Sequence, residues 1–333
     1  MLPMTLTIIF LALVFDFVNG MNDAANSIAT VVSTRVLPPR LAVLWAAFFN
    51  FVAAFGFGVH VANTIGKGIV DVAVVNEYLI LSALIAAIIW SYLCTHFGLP
   101  ISVSHSLIGG LAGATVMKAG FGSLVPGGLL KVGLFIILSP LIGLVLGFGF
   151  MAIVLWIFKN TSPDRVDQTF RIGQLFSSAV FSLGHGTNDA QKTMGIIALA
   201  LYSGGYLGDT FYVPSWVILA AGFAIALGTY MGGWRVVRTM GMKLTHLKPI
   251  GGFCAETGGA IVLLGTSLAG IPVSTTHTIT GAIMGVGATR RLSAVRWGVA
   301  GKIVWAWIFT IPASGLLAAV TYLIINVIRH SLP

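Results

Sequence analysis

Apolar runs of roughly 20 residues recur from one end of this chain to the other, and a run of that length is what an α-helix needs to cross a bilayer. Only 8% of the 333 residues are charged and 57% are hydrophobic, against about 25% charged in an ordinary soluble domain. The chain therefore reads as an integral membrane protein. A transmembrane barrel would show short alternating strands instead, so the expected fold class is all-α and polytopic. The 41 glycines agree with it, because small residues let helix backbones approach where lipid supplies no hydrophobic drive between helices.

Polar breaks divide the apolar sequence into ten spans, at approximately 4–33, 41–62, 78–97, 102–118, 130–158, 173–202, 213–233, 250–270, 275–289 and 297–327. With the N-terminus outside, Arg35, Arg40, Lys159, Arg165, Arg171, Arg235, Arg238, Lys243, Lys248, Arg290, Arg291 and Arg296 fall in the cytoplasm. Only Lys67, Lys118, Lys131 and Arg329 then face out, while Lys192 and Lys302 fall within spans. This bias obeys the positive-inside rule and accounts for the net charge of +9 without a nucleic-acid partner. It places both termini on the extracytoplasmic side of a cell (cytoplasmic) membrane. The first 19 residues resemble a signal-peptide core, but no Lys or Arg precedes them, so an uncleaved first span is expected. Cys94 and Cys254 lie in apolar surroundings without metal-type spacing and read as buried thiols.

Two motifs occur twice and in the same order. Gly20-Met-Asn22-Asp23-Ala returns as Gly186-Thr-Asn188-Asp189-Ala at an offset of 166, and Pro100-Ile-Ser102-Val-Ser104-His105-Ser106 returns as Pro272-Val-Ser274-Thr275-Thr276-His277-Thr278 at an offset of 172. The long polar connection 159–172 lies mid-chain and separates five spans from five. An odd number of spans per half inserts the halves with opposite orientation, the inverted repeat of secondary transporters. The expected organisation is a first repeat over 1–158, a cytoplasmic linker over 159–172 and a second repeat over 173–333.

Carboxylates inside hydrocarbon cost at least about 2.5 kcal/mol each, so an intramembrane Asp points to function. Gly20 and Gly186 would allow their spans to unwind beside Asn22, Asp23, Asn26, Asn188 and Asp189, and carboxylate, amide and carbonyl oxygens are the hard ligands of a sodium-like cation. Holding broken helices by hydrogen bonds is the structural role open to the same two Asp residues. Neither Pro-hydroxyl junction carries a charge, so each is expected to be a hairpin tip buried within the protein. There Ser102 or Ser104, and Ser274 or Thr275, cap helices whose N-terminal N–H groups and dipoles attract an anion. The candidate anion site comprises Ser102, Ser104, His105, Ser106, Ser274, Thr275, Thr276, His277 and Thr278, with Lys192 one turn beyond Asn188 adding a positive charge. His105 and His277 are donors, proton carriers or packing residues. Glu256, in the eighth span, is a coupling candidate or half of a structural pair. Asp16, one turn before the first motif, is ambiguous. His60, His96, His246 and His330 have no repeat partner and read as interfacial. Two ionised Asp residues beside a phosphate-like anion would total about minus three or minus four, which a low-dielectric site cannot hold unless cations enter too.

At 20–27, 100–110, 184–193 and 272–287 the chain resembles the inorganic phosphate transporter (Pit) family, bacterial type. The resemblance spans nearly the whole length and rests on the paired G-x-N-D-x-x-N and P-[IV]-S-x-[ST]-H motifs. It implies about twelve transmembrane elements, which the ten spans match if the first and sixth split at their glycines. It also implies a dimer, a moving transport domain and symport of phosphate with sodium or protons, bacterial members carrying metal-phosphate complexes. By motif, cation contacts fall on Asn22, Asp23, Asn188 and Asp189, and phosphate contacts on Ser104, Ser106, Thr275, Thr276 and Thr278. Two departures reduce negative charge near the site: Gln191 and Lys192 stand where the first motif has Ala25 and Asn26, and Asn50 stands where eukaryotic members carry Glu. They favour proton or metal-phosphate coupling.

The expected function is thus a secondary active importer of inorganic phosphate, with no cofactor beyond the co-transported cation (proton, sodium or a divalent metal with phosphate). A sulfate permease of the same fold is the nearest alternative, since a tetrahedral dianion fits the same helix ends. A passive channel is a third reading. An intramembrane hydrolase built on Ser104 or Thr276 with His105 or His277 is disfavoured, because adjacent residues on a helix point about 100° apart and no nucleophile-elbow glycine pattern accompanies them.

Overall fold

The computed structural model describes residues 2–56 and 58–331. Phe57, within the expected span 41–62, and Met1, Leu332 and Pro333, within the expected repeat bounds, lie outside the described residues. Twelve α-helices follow one another: α1 (Leu2–Ser33), α2 (Pro39–Val52), α3 (His60–Gly68), α4 (Glu77–Phe97), α5 (Val103–Ala119), α6 (Pro126–Ile157), α7 (Pro163–Ser203), α8 (Ser215–Met231), α9 (Trp234–Arg238), α10 (Pro249–Leu268), α11 (Thr275–Ala288) and α12 (Trp297–Ser331). Among the described residues the only β-pairing is an isolated bridge between Val70 and Leu124.

Each of the first six helices has a counterpart in the second six, and their packing is reciprocal. α1 packs on α8 as α7 packs on α2, α1 on α4 as α7 on α10, and α5 on α12 as α11 on α6. Small residues make the closest of these crossings. Gly109 and Gly113 of α5 lie against Ile311 and Gly315 of α12, while Gly281 and Gly285 of α11 lie against Pro140 and Leu144 of α6. Both pairs are spaced by four residues, so each presents one flat stripe to its partner.

The breaks do not fall where the glycine motifs placed them. α1 and α7 run without interruption through Gly20 and Gly186. The reason is lateral contact: a Cβ at Gly20 would collide with the Ile225 carbonyl and the Thr229 amide of α8, and one at Gly186 with the Asn50 backbone of α2. These glycines admit a neighbouring helix and leave the helix's own hydrogen bonds intact. The second and seventh spans break instead, α2 and its 3-10 extension against α3 at 79°, and α8 against α9 at 63°. Gly232 and Gly233 make the latter break, Gly232 at φ 69. α7 begins at Pro163, so helix also occupies most of the expected linker.

Among the described residues five helices (α1, α4, α6, α10 and α12) are long and apolar enough to cross a membrane, and the bent pairs raise the number to seven. α5 and α11, with 17 and 14 residues, extend about 25 and 21 Å and fall short of the ~30 Å hydrocarbon core. They are the returning arms of the hairpins α4–α5 and α10–α11, turned by Gly98 (φ 69) and Gly270 (φ 65), where only glycine adopts a left-handed backbone without strain. α7, 41 residues long, is polar but buried: every residue from Gly184 to Leu201 is inside the protein. The ten-span count therefore merged membrane-crossing helices with shielded ones.

Two apolar cores form around this frame. One gathers Ile8, Ala12 and Phe15 of α1 with Ala190, Met194 and Ile197 of α7; the other gathers Ala25, Ile28 and Ala29 of α1 with Phe181 of α7 and the inner parts of α10 and α11. On α1 the interval between them is 16–24 and on α7 it is 182–189, the segments that hold the Asn-Asp motifs. The Asn-Asp motifs thus lie where the two apolar cores meet.

Candidate functional site

The two hairpin tips converge on the two Asn-Asp motifs. Ser102 and Ser274 occupy the N-cap positions of α5 and α11, where their hydroxyls accept the amides of His105 (3.3 Å) and His277 (3.2 Å). Both helices consequently start beside the carboxylates, with their dipole-positive ends and first-turn N–H groups directed there.

Asp23 and Asp189 are buried side by side. The Thr275 hydroxyl lies between them, 3.2 Å from Asp23 Oδ2 and 3.1 Å from Asp189 Oδ2. Thr276 lies 3.2 Å from Asp23 Oδ1 and 2.9 Å from the Ile101 carbonyl of the other hairpin tip. The Asn26 amide donates to both threonines, at 3.1 and 3.0 Å. Lys192, 1% exposed, uses its three ammonium protons on Asp189 Oδ1 (2.5 Å), Ser104 Oγ (2.5 Å) and the Val273 carbonyl (2.8 Å). One helix of each repeat therefore grips the hydroxyl tip of the other repeat: Asn26 holds Thr276, and its counterpart Lys192 holds Ser104, the counterpart of Thr276.

Asn22 and Asn188 do something different from their acidic neighbours. The Asn22 amide donates to Thr95 of α4 (2.6 Å) and the Asn188 amide to Ser267 of α10 (3.1 Å). Each ties its helix to the outgoing arm of its own repeat's hairpin. The Oδ1 atoms of Asn22, Asn26 and Asn188 remain buried and unpartnered, so the site holds acceptor oxygens with no donor within the protein.

The remaining candidates divide by position. Ser106 is buried with a free hydroxyl, whereas Thr278 spends its proton on the Ser274 carbonyl (2.9 Å). His105 and His277 meet each other edge to face at 4.9 Å, and His277 stacks on Trp307 at 3.7 Å, placing both rings behind the hairpin tips. Gln191 accepts the Val61 amide (2.8 Å) at the start of α3. Glu256 lies apart from the site, bonded by Gln174 (2.9 Å) and by Ser177, with Gln174 in turn accepting from Thr34 (2.8 Å). His60, His96, His246 and His330 are exposed.

His185 is the site residue that motif reading missed. Its Nε2 lies 3.2 Å from Asp189 Oδ2, and its Nδ1 meets Asn50 Oδ1 at 3.1 Å, Asn50 being anchored on Thr229 (2.9 Å). The available signal was spacing, since His185 precedes Asp189 by four residues and shares its helix face. Asp23, His185 and Asp189 each offer a ligand atom, all within 4.8 Å of one another. A cation fits that donor set, and an anion fits the hydroxyls, Lys192 and helix ends beside it.

Comparison with known proteins agrees over the whole chain. The model of the phosphate transporter family matches residues 19–164 and again 158–318, once for each repeat. A protein of Rhizobium meliloti (strain 1021) named "probable low-affinity inorganic phosphate transporter" is 58% identical over 320 residues, 96% of each chain. A protein of Bacillus subtilis (strain 168) with the same name is 43% identical over 330 residues, covering 98% of this chain and 99% of its own. The solved structure of "the sodium-dependent phosphate transporter" superposes with a TM-score of 0.88 at 29% identity, covering 98% of this chain and 100% of the other. The sulfate alternative has no support among these relatives.

Proposed function

The chain belongs to the phosphate transporter family, and we propose that it is a secondary active symporter that imports inorganic phosphate with cations across the cytoplasmic membrane. It is a transporter and not an enzyme. The observation that carries the symport reading is one buried pair of carboxylates joined to both hairpin tips, to the second directly through Thr275 and Thr276 and to the first through Lys192 on Ser104.

Phosphate would be held by the start of α5 and α11 and by Ser104, Thr275, Thr276 and the Lys192 ammonium. A coupling cation would be held by Asp23 and Asp189 with Asn26, His185 and free amide oxygens. The charges decide the order of events. Asp23, Asp189 and Lys192 sum to about minus one, so an incoming phosphate anion meets net repulsion in a low-dielectric belt until cations neutralise it. Cation and anion then each improve the other's binding, and that reciprocal coupling is what makes co-transport obligatory. Lys192 supplies internally one charge that Asn26 does not, which lowers the number of external cations needed. Sodium or protons can meet the remainder, and a divalent metal entering with phosphate meets it as a neutral complex.

Phosphate flux into proteoliposomes, measured against separate proton and sodium gradients with and without magnesium, tests the reading. Uptake above equilibrium under at least one imposed cation gradient is expected, insensitive to excess sulfate, with Asp23→Asn and Asp189→Asn abolishing it in correctly inserted protein. Flux that only equilibrates, or sulfate flux without phosphate flux, would overturn it.

A further inference from the structure

A cavity of about 690 Å³ opens on the face that the cationic residues assign to the cytoplasm, away from the buried carboxylates. The end of α1 (29–35), the starts of α2 and α10 and the segment 234–248 line it. Four of its side chains are cationic or imidazole: Arg35, Arg238, His246 and Lys248. No Asp or Glu lines it, and among the described residues none of the four heads has an ion pair. Pro39 and Pro249 begin α2 and α10 at its wall without a side-chain cap, so two dipole-positive helix ends add to the same field. The positive-inside bias accounts for basic residues on this face, but it does not gather them around one hollow. Among the described residues Arg35 is also the one non-glycine residue with a left-handed backbone, at φ 59, a helix-ending position that glycine takes with less strain. The Arg171 guanidinium donates to the Arg35 carbonyl (3.0 Å) and fixes that turn, while the Arg35 side chain lines the cavity.

The other half of the inverted repeat fills the equivalent space. Thr239-Met-Gly241-Met-Lys243 follows Thr64-Ile-Gly66-Lys-Gly68 at an offset of 175. Beside Gly66 the Phe211 ring stands where a Cβ would go, Tyr202 packs edge-on to it at 5.9 Å, and the Lys67 ammonium lies over it at 4.7 Å. Phe211 comes from the connection 204–214 between α7 and α8; the corresponding connection 34–38 between α1 and α2 is shorter and carries no aromatic residue. One hollow is therefore plugged and its counterpart is open and basic. On its inner side Gly241 backs onto α1, where a Cβ would come within 2.5 Å of the Ala29 carbonyl. Ala29 lies one turn from Asn26, so this contact separates the cavity from the buried site.

We propose that the cavity binds a phosphoryl oxyanion at a second site, distinct from the one at Asp23 and Asp189. Two sources carry that chemistry on this face: free phosphate, and the phosphodiester headgroup of an anionic lipid. Guanidinium and ammonium groups beside helix N-termini are suited to phosphate oxygens, and the volume falls within the roughly 300–1,000 Å³ of small-molecule sites. The site stands whether or not the buried one couples phosphate to cations.

Equilibrium binding of radioactive inorganic phosphate to the purified protein tests it, in nanodiscs of phosphatidylcholine alone and in nanodiscs that also contain phosphatidylglycerol. In the neutral discs Asp23→Asn, which silences the buried site, is expected to keep one bound phosphate per chain. Adding Arg35→Gln and Arg238→Gln to that variant is expected to weaken this phosphate by roughly tenfold or more. In the anionic discs it persists if free phosphate is the ligand and disappears if the headgroup takes its place. In the second case Asp23→Asn retains phosphatidylglycerol through detergent exchange and the triple variant loses it. Equal phosphate binding and equal lipid retention with and without the arginine substitutions overturn the site. An Asp23→Asn protein that binds neither ligand, or that gives up its phosphate to a modest excess of chloride, overturns it too. If the triple variant does not fold, Lys248→Gln in the Asp23→Asn background decides, with an expected loss on the order of threefold. A wild type that passes these tests but carries no phosphate in proteoliposomes would refute the transport reading and leave the second site standing.

Discussion

Replacing Lys192 by methionine keeps a long stem in a buried position and removes hydrogen bonds to Asp189, Ser104 and the Val273 carbonyl, at 2.5, 2.5 and 2.8 Å. Asp189 then retains Thr275 at 3.1 Å and His185 at 3.2 Å but loses its countercharge. Removing one partner of a buried ion pair costs about 3–5 kcal/mol, because the other charge stays desolvated and uncompensated. Asp189→Asn strands the ammonium instead and falls in the same range. In the double variant Asp189→Asn/Lys192→Met neither charge remains, so its cost is far below the sum of the singles. The coupling energy of the cycle is expected at about 3 kcal/mol, the upper end for residues in contact. Equilibrium unfolding by SDS in mixed micelles free of sodium and phosphate measures all four proteins. Sodium added back should stabilise Lys192→Met more than the wild type, since the variant carries one more uncompensated negative charge. Single effects that simply add, with coupling below about 0.5 kcal/mol, would refute the claim that this pair is closed and shielded from water.

Two further outcomes follow from the packing. Thr276→Val removes the hydroxyl between Asp23 and the Ile101 carbonyl and is expected to cut phosphate flux in proteoliposomes at least tenfold, while thermal unfolding in detergent changes little; wild-type flux would remove Thr276 from the site. Gly20→Ala drives a methyl into the Ile225 carbonyl and Thr229 amide and should destabilise by roughly 1–3 kcal/mol. Gly265→Ala, with open space around the new Cβ, should be neutral or stabilising by up to about 1 kcal/mol; equal loss in both variants would mean that close approach is not why α1 carries glycine.

Pattern and offset were legible in the sequence because helical membrane proteins have few ways to satisfy their backbone. The apolar runs required helices, and motif duplication with an odd span count required inverted halves. What could not be read was lateral. Gly20 and Gly186 stand in the same sequence context whether a helix unwinds at them or another helix lies across them. Only the positions of α8 and α2 decide between the two. Asn22 and Asp23 are adjacent in sequence, yet about 100° of helical rotation separates them. That rotation sends the amide to Thr95 and the carboxylate to Thr275 and Thr276. His185 stayed hidden because its counterpart is Asn19, so a search for matching residues in the two halves passes over it.

The same asymmetry bears on how the halves can work. The backbone treats the repeats as equivalents, pairing α1 with α8 and α7 with α2, but the side chains at equivalent places differ: Asn26 against Lys192, Asn19 against His185, Val103 against Thr275 and Asp16 against Ser182. Asn26 holds Thr276 through a neutral amide, whereas Lys192 holds Ser104 through an ammonium that also pairs with Asp189. Charge-assisted bonds are roughly twice as strong as neutral ones. The two grips therefore differ in kind: α1 holds the second hairpin through Asn26 and Asp23 on Thr275 and Thr276, whereas α7 holds the first through the Lys192 ammonium on Ser104. In an inverted repeat, opening to one side and opening to the other exchange the roles of equivalent contacts. Unequal contacts make those two openings unequal in energy, so the empty protein favours one of them. A phosphate that competes for the ammonium would loosen the Lys192–Ser104 contact. On the proposed symport reading, loading the site would therefore shift the balance between the two openings, which is how bound ions would act on the cycle.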